Sequence, residues 1–168
     1  DNFYKFYDIL KNCNADAFLV MHKGKLIFEY FDNFTSKNTP HIIFSVSKSL
    51  TSLLAATLFK NMSIDVNKTV SSIIPETKDT AYEDATIRNV LDMTVASGFI
   101  EDYSGEAEIF KKYRSCTGWD LPEESLQNIP VGLHDFLSKM PRSNLSHGKK
   151  YYYCSPNSDL LGWIIERV

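Results

Sequence analysis

Ile43-Phe44-Ser45-Val46-Ser47-Lys48-Ser49-Leu50-Thr51-Ser52 begins a stretch that stays helical in pattern and largely apolar as far as Lys60. Leu50, Leu53, Leu54 and Leu58 fall on one face, and small residues occupy the others, which predicts a helix buried on most sides. Ser45 and Lys48 stand three apart, so on a helix both side chains face the same way. A serine hydroxyl is a weak nucleophile until a neighbouring base takes its proton. In a helix's first turn it also has free N–H groups and positive potential beside any oxyanion it generates. Ser45 and Lys48 are therefore a candidate nucleophile and base. The same spacing recurs at Ser146-His147-Gly148-Lys149, in a polar loop that fixes no geometry. Spacing alone thus leaves open an ordinary N-capping role for Ser45.

Working outward, residues 2–13 alternate at helical spacing, with Asn12 and Asn14 as a stop. Two apolar, β-prone runs flank Lys23-Gly24 and predict a β-hairpin over about 17–31. Downstream, Thr86 is a good N-cap for a helix over 87–95, with Gly98 ending the segment. Residues 99–130 carry Gly105, Gly118, Pro122 and Pro130 with little periodicity and read as a long excursion. A short helix is expected over 131–140, stopped by Pro141, then a polar loop over 143–150 and an extended Tyr151-Tyr152-Tyr153. Ser155-Pro156 opens a last helix to Val168, with Ser as N-cap and Pro at the first helical position. No internal repeat is visible. One hairpin makes a poor sheet by itself, so strands from outside these residues, or another chain, are expected to complete it.

Composition narrows the function classes. With 168 residues, 43% hydrophobic and 23% charged, the chain can bury the core of one soluble domain. The net charge of -3 and only two basic doublets, Lys111-Lys112 and Lys149-Lys150, give no footprint for nucleic acid. Cys13, Cys116 and Cys154 lie far apart, an odd count with neither disulfide nor zinc spacing, so no metal is expected. No apolar run approaches about 18 residues, so no membrane segment is expected in this chain. The start, Asp1-Asn2-Phe3, has neither Met nor the shape of a signal peptide, and a native N-terminus upstream is expected. The compartment is not legible.

Four segments in order carry a family resemblance. They are the Ser45 stretch; Ile64-Asp-Val-Asn-Lys-Thr-Val-Ser-Ser-Ile-Ile-Pro-Glu76; Ala85-Thr-Ile-Arg-Asn-Val-Leu-Asp-Met-Thr94 with Ser97-Gly98; and Tyr151-Tyr-Tyr-Cys-Ser-Pro-Asn-Ser-Asp-Leu-Leu-Gly-Trp163. Together they resemble the serine β-lactamase-like, penicillin-binding-protein-like hydrolase superfamily, and the last is similar to the tyrosine motif of 6-aminohexanoate-dimer hydrolases and their esterase-like relatives. The resemblance runs from about residue 17 to the end.

It implies an α+β, β-lactamase/transpeptidase-like fold: one domain over 1–168, with the hairpin, a helical part over about 45–168, and C-terminal sheet strands missing. It makes Ser45 the acylated nucleophile, Lys48 its proton acceptor, and Tyr153 the relay to the leaving group. A core aromatic is the plain alternative for Tyr153. Ser155 stands where class C β-lactamases carry Asn, which favours the amide- or ester-hydrolase branch; capping is its other role. Glu101-Asp102-Tyr103 resembles a pocket wall, so Tyr103 is a substrate-binding candidate beside the reading of a solvated loop, and Trp119 is another. Cys154 reads as a buried structural thiol. No cofactor is implied. The substrate would be a small amide or ester, including a β-lactam or short oligoamide. The family's third motif, a Lys/His-Thr/Ser-Gly strand giving a second oxyanion-hole N–H, is not present, so these residues alone are expected to be feeble or inactive. A non-catalytic module binding peptidoglycan or protein ligands is the alternative.

Overall fold

The computed structural model describes residues 2–122 and 125–168, and its contacts divide the chain into two compact units, residues 1–44 and 45–168. The first holds helix α1 (Asn2–Asn12) and strands β1 (Ala17–His22) and β2 (Lys25–Phe31). The strands pair antiparallel, with Ala17 opposite Phe31 and a register shift between Val20 and Met21. Lys23 and Gly24 both take positive φ, +50° and +76°, as a tight two-residue hairpin turn requires. Phe6 of α1 meets Phe18 and Phe28 edge-on at 5.4 and 5.6 Å, which covers one face of the hairpin. Leu19, Met21 and Ile27 remain exposed. Among the described residues the sheet has these two strands.

A 3₁₀ turn, Phe44–Val46, leads into the second unit, which holds α2 (Ser47–Asn61), α3 (Ile87–Leu91), α4 (Glu108–Cys116), α5 (Gly132–Leu137) and α6 (Ser155–Arg167). Helix α6 packs against α2, α3 and α5, and α4 against α5. The core gathers Ala55 and Phe59 of α2, Ile87 and Val90 of α3, and Leu160, Leu161 and Ile164 of α6, together with Ile74, Tyr82 and Phe99 from connecting segments. Thr86 caps α3 through a reciprocal capping box with Asn89.

Several expectations change. Helix α2 is not buried on most sides: Ala55 and Phe59 face the core, whereas Leu50, Leu53 and Leu54 are 61%, 65% and 51% exposed. The inner face is formed by a small and an aromatic residue, and helical periodicity alone cannot say which apolar stripe finds a neighbour. Residues 99–130 are not a bare excursion, because α4 lies within them. Its signal was Ile109, Phe110 and Tyr113 at helical spacing, with Glu108 paired to Lys112 one turn on; flanking glycines masked it. Phe110 and Tyr113 pack with Phe99, and Tyr113 with Phe136. Helices α3 and α5 are shorter than expected. Cys154, not Ser155, holds the N-cap position of α6, and its side chain makes no cap bond.

Replacing the fully buried Leu160 by Ala should cost about 2–5 kcal/mol of unfolding free energy in urea denaturation. Leu53→Ala, on the exposed stripe of α2, should change it by less than about 0.5 kcal/mol. A large loss at Leu53 would show that its face is covered.

Candidate active site

The turn before α2 sets Ser45. Phe44, just ahead of it, sits in the left-handed region at φ +41°, a conformation a bulky residue rarely adopts. Ser45 is exposed, and Lys48, on the first turn of α2, is half-buried. Lys48 Nζ donates to Ser45 Oγ at 2.9 Å. Tyr153 OH donates to the same oxygen at 2.8 Å, across 108 residues of sequence. Lys48 Nζ also lies 5.4 Å from the centre of the Tyr153 ring.

Tyr153 is carried by an extended stretch laced to the segment after α3. Tyr152 N–H donates to Met93 O at 2.8 Å and Gly148 N–H to Thr94 O at 2.9 Å, while Ser143 N–H reaches Ala96 O at 3.1 Å. A side chain joins this lacing: Ala96 N–H donates to His147 Nδ1 at 2.9 Å, and the ring's other nitrogen faces Asp84 Oδ1 at 3.2 Å. An acceptor at Nδ1 leaves Nε2 to carry the proton toward Asp84. The Arg142 guanidinium on the same carboxylate, and then His147, hold Asp84 below the usual carboxylate range.

Burial pushes the Tyr153 phenol up, but its hydrogen bonds with Ser45 and Lys48 and the charge of Lys48 outweigh this. Its pKa falls below that of an ordinary tyrosine. The carboxylate beside Tyr103 acts oppositely: the bond to Glu101 Oε1, at 2.5 Å, pushes that phenol up to about 12. Asp159, one turn into α6 from Ser155, is raised by burial despite the bond from Tyr113 OH at 2.6 Å and the charge of Lys48.

The structure therefore brings Ser45, Lys48 and Tyr153 together directly. Tyr103 and Ser155 meet through Glu101, on which Ser155 Oγ donates at 2.8 Å. Trp119 is exposed just past α4, with its backbone N–H donating to Arg114 O. Cys154 is buried, and burial pushes its thiol up to about 12, the state of an inert core thiol. Among the described residues no group of three or more His, Cys, Asp or Glu could hold a metal, and no helix is long and apolar enough to cross a membrane. Glu101, Asp159 and His147 were not singled out from sequence as site residues. Glu101 stood in a quoted stretch and Asp159 within the tyrosine segment, but only their partners give them meaning.

The Beta-lactamase family model matches residues 9–168. The chain belongs to that family. A 6-aminohexanoate-dimer hydrolase of Paenarthrobacter ureafaciens is 30% identical over 159 residues, covering 95% of this chain and 39% of that protein. A solved structure described provisionally as a 6-aminohexanoate-dimer hydrolase from Bacillus anthracis superposes with a TM-score of 0.83 at 23% identity, over 96% of this chain and 42% of its own. At that identity the superposition speaks for the β-lactamase-like α+β fold alone. The chain thus spans about two fifths of the length of these family relatives.

Because Lys48 helps to lower the Tyr153 pKa, Lys48→Met should raise it. Tyrosinate absorbance near 295 nm, titrated against a Tyr153→Phe control, should show one phenol moving to higher pH. An unmoved titration would remove Lys48 as the cause.

Proposed function

We propose that Ser45 is the nucleophile of a hydrolase that opens an amide or ester through an acyl-Ser45 intermediate. The observation that carries this reading is the single oxygen, Ser45 Oγ, bonded by both Lys48 Nζ and Tyr153 OH. Membership of the Beta-lactamase family, and a relative named for hydrolysis of an oligoamide dimer, support the reaction class. A cleft that only bound a ligand would have no use for two titratable groups trained on one hydroxyl.

In the proposed sequence Lys48 enters as the neutral amine, its ammonium having first released a proton to solvent, and Ser45 Oγ adds to the carbonyl carbon while its proton passes to that amine. The tetrahedral intermediate collapses, and the Tyr153 phenol protonates the departing amine or alcohol. The resulting phenolate, stabilised beside the Lys48 ammonium, takes a proton from water as that water adds to the acyl carbon. On the second collapse Ser45 recovers its proton from Lys48, and every group returns to its starting state. No cofactor enters this sequence. The substrate class is a small amide or ester, with short oligoamides and β-lactams inside it; Tyr103, Ser155 and Trp119 are proposed to border the substrate. The resemblance assigns a second oxyanion-hole N–H to a later strand motif. Loss of one such donor costs ~10²–10³-fold in rate, so slow turnover is proposed for these 168 residues by themselves.

A fluorophosphonate probe read by intact mass should add once, at Ser45. The adduct should be absent in Ser45→Ala and form on the order of 10²-fold more slowly or worse in Lys48→Ala. No adduct, or one that survives Ser45→Ala, would sink the proposal.

A further inference from the structure

Glu101 lies outside the Ser45, Lys48 and Tyr153 group, yet its carboxylate receives three hydrogen bonds from two segments. Ser155 N–H donates to Oε2 at 2.7 Å, Ser155 Oγ to Oε1 at 2.8 Å, and Tyr103 OH to Oε1 at 2.5 Å. Helix α6 has thirteen residues, and its own N-cap residue, Cys154, makes no side-chain cap bond. Glu101 takes over that task from 54 residues away, at a helix end whose positive potential favours an anion. Tyr153 precedes Ser155 by two residues, so holding the Ser155 backbone and hydroxyl limits where the Tyr153 end of that segment can lie. The carboxylate therefore fixes the end of α6, the direction of the Ser155 hydroxyl and the Tyr103 phenol at once.

We propose that Glu101 is a positioning residue of the hydrolytic site: by gripping Ser155 and Tyr103 it holds Tyr153 in reach of Ser45 Oγ. This rests on the reading of Ser45 as nucleophile. Glu101 itself touches neither Ser45 nor the reacting carbonyl; it acts through Ser155. An uncharged amide in its place keeps the size but offers one acceptor oxygen where the carboxylate offers two. Small displacements of a reacting group are costly, because the attack geometry tolerates little error.

The test measures fluorophosphonate labelling of Ser45 by intact mass over a range of probe concentrations, which separates the maximal labelling rate from half-saturation. In Glu101→Gln the maximal rate should fall on the order of 10–100-fold, while the half-saturating concentration stays within about twofold. Ser155→Ala, which leaves Glu101 in place, should show the same fall in maximal rate. The double variant should be no slower than the slower single, since both act through one contact. Parental labelling rates in Glu101→Gln, losses that multiply in the double variant, or a loss confined to half-saturation would overturn the assignment. If Glu101→Gln fails to melt cooperatively, Ser155→Ala decides by the same fall in maximal rate. A parent with no Ser45 adduct instead brings down the nucleophile reading, and this assignment with it.

Discussion

The packing of α6 on α2 is the constraint on which the candidate site depends. Ser45 stands at the entrance to α2 and Tyr153 just ahead of α6, and 108 residues separate them. The hydrogen bond that joins them is worth about 1 kcal/mol net, far too little to close such a loop and hold it. The closing force is the burial of Ala55 and Phe59 against a core that includes Leu160, Leu161 and Ile164; each large apolar side chain contributes roughly 1.5–3 kcal/mol. The Ser45 to Tyr153 contact is thus a consequence of core packing. Its geometry is inherited from the packing of the two helices that follow these residues.

Three tyrosines show how that packing sorts chemical roles among identical side chains. Tyr153 meets an ammonium and a hydroxyl, and its phenol is drawn toward ionisation despite partial burial. Tyr103 meets a carboxylate and is pushed up to about 12. Tyr113 is half-buried, and that burial and then Asp159 push its phenol further up. One functional group placed against a cation and, twice, against a half-buried carboxylate yields a proton relay candidate and two obligate donors. Burial leads the rise at Tyr113 and is outweighed at Tyr153, and the neighbouring charge comes from a different element each time: α2 for Tyr153, the loop before α4 for Tyr103, and α6 for Tyr113.

Much of the local architecture could be read directly. The Lys23-Gly24 turn, the Thr86 cap and the start of the last helix were all expected, because each depends on contacts within a few residues. Helix α4 was missed, since its apolar residues are few and lie between glycines and prolines that argue for a loop. The buried face of α2 was misjudged, because four leucines outweigh one alanine and one phenylalanine by hydrophobicity, although Ala55 and Phe59 are what face the core. Ser155 was expected as an N-cap and instead opens the helix itself, with its hydroxyl given to Glu101. In each case a distant neighbour overrode a sound local preference.

By itself the sequence determined the kinds of residue available and their spacing within a turn: Ser45 with Lys48, the hairpin's glycine, and the tyrosine segment whose resemblance placed the chain in its family. Those features rest on interactions between residues two to four apart, which propensity and periodicity describe. The resemblance singled out Tyr153 among three tyrosines, but only the tertiary structure brought its phenol onto Ser45 Oγ, put Glu101 rather than Cys154 on the end of α6, and set His147 to lock the loop ahead of Tyr153. Those partners lie 51 to 108 residues apart, and no local rule encodes them. They meet because a buried core admits few arrangements of its helices, and the polar side chains at its edge take the partners that arrangement leaves them.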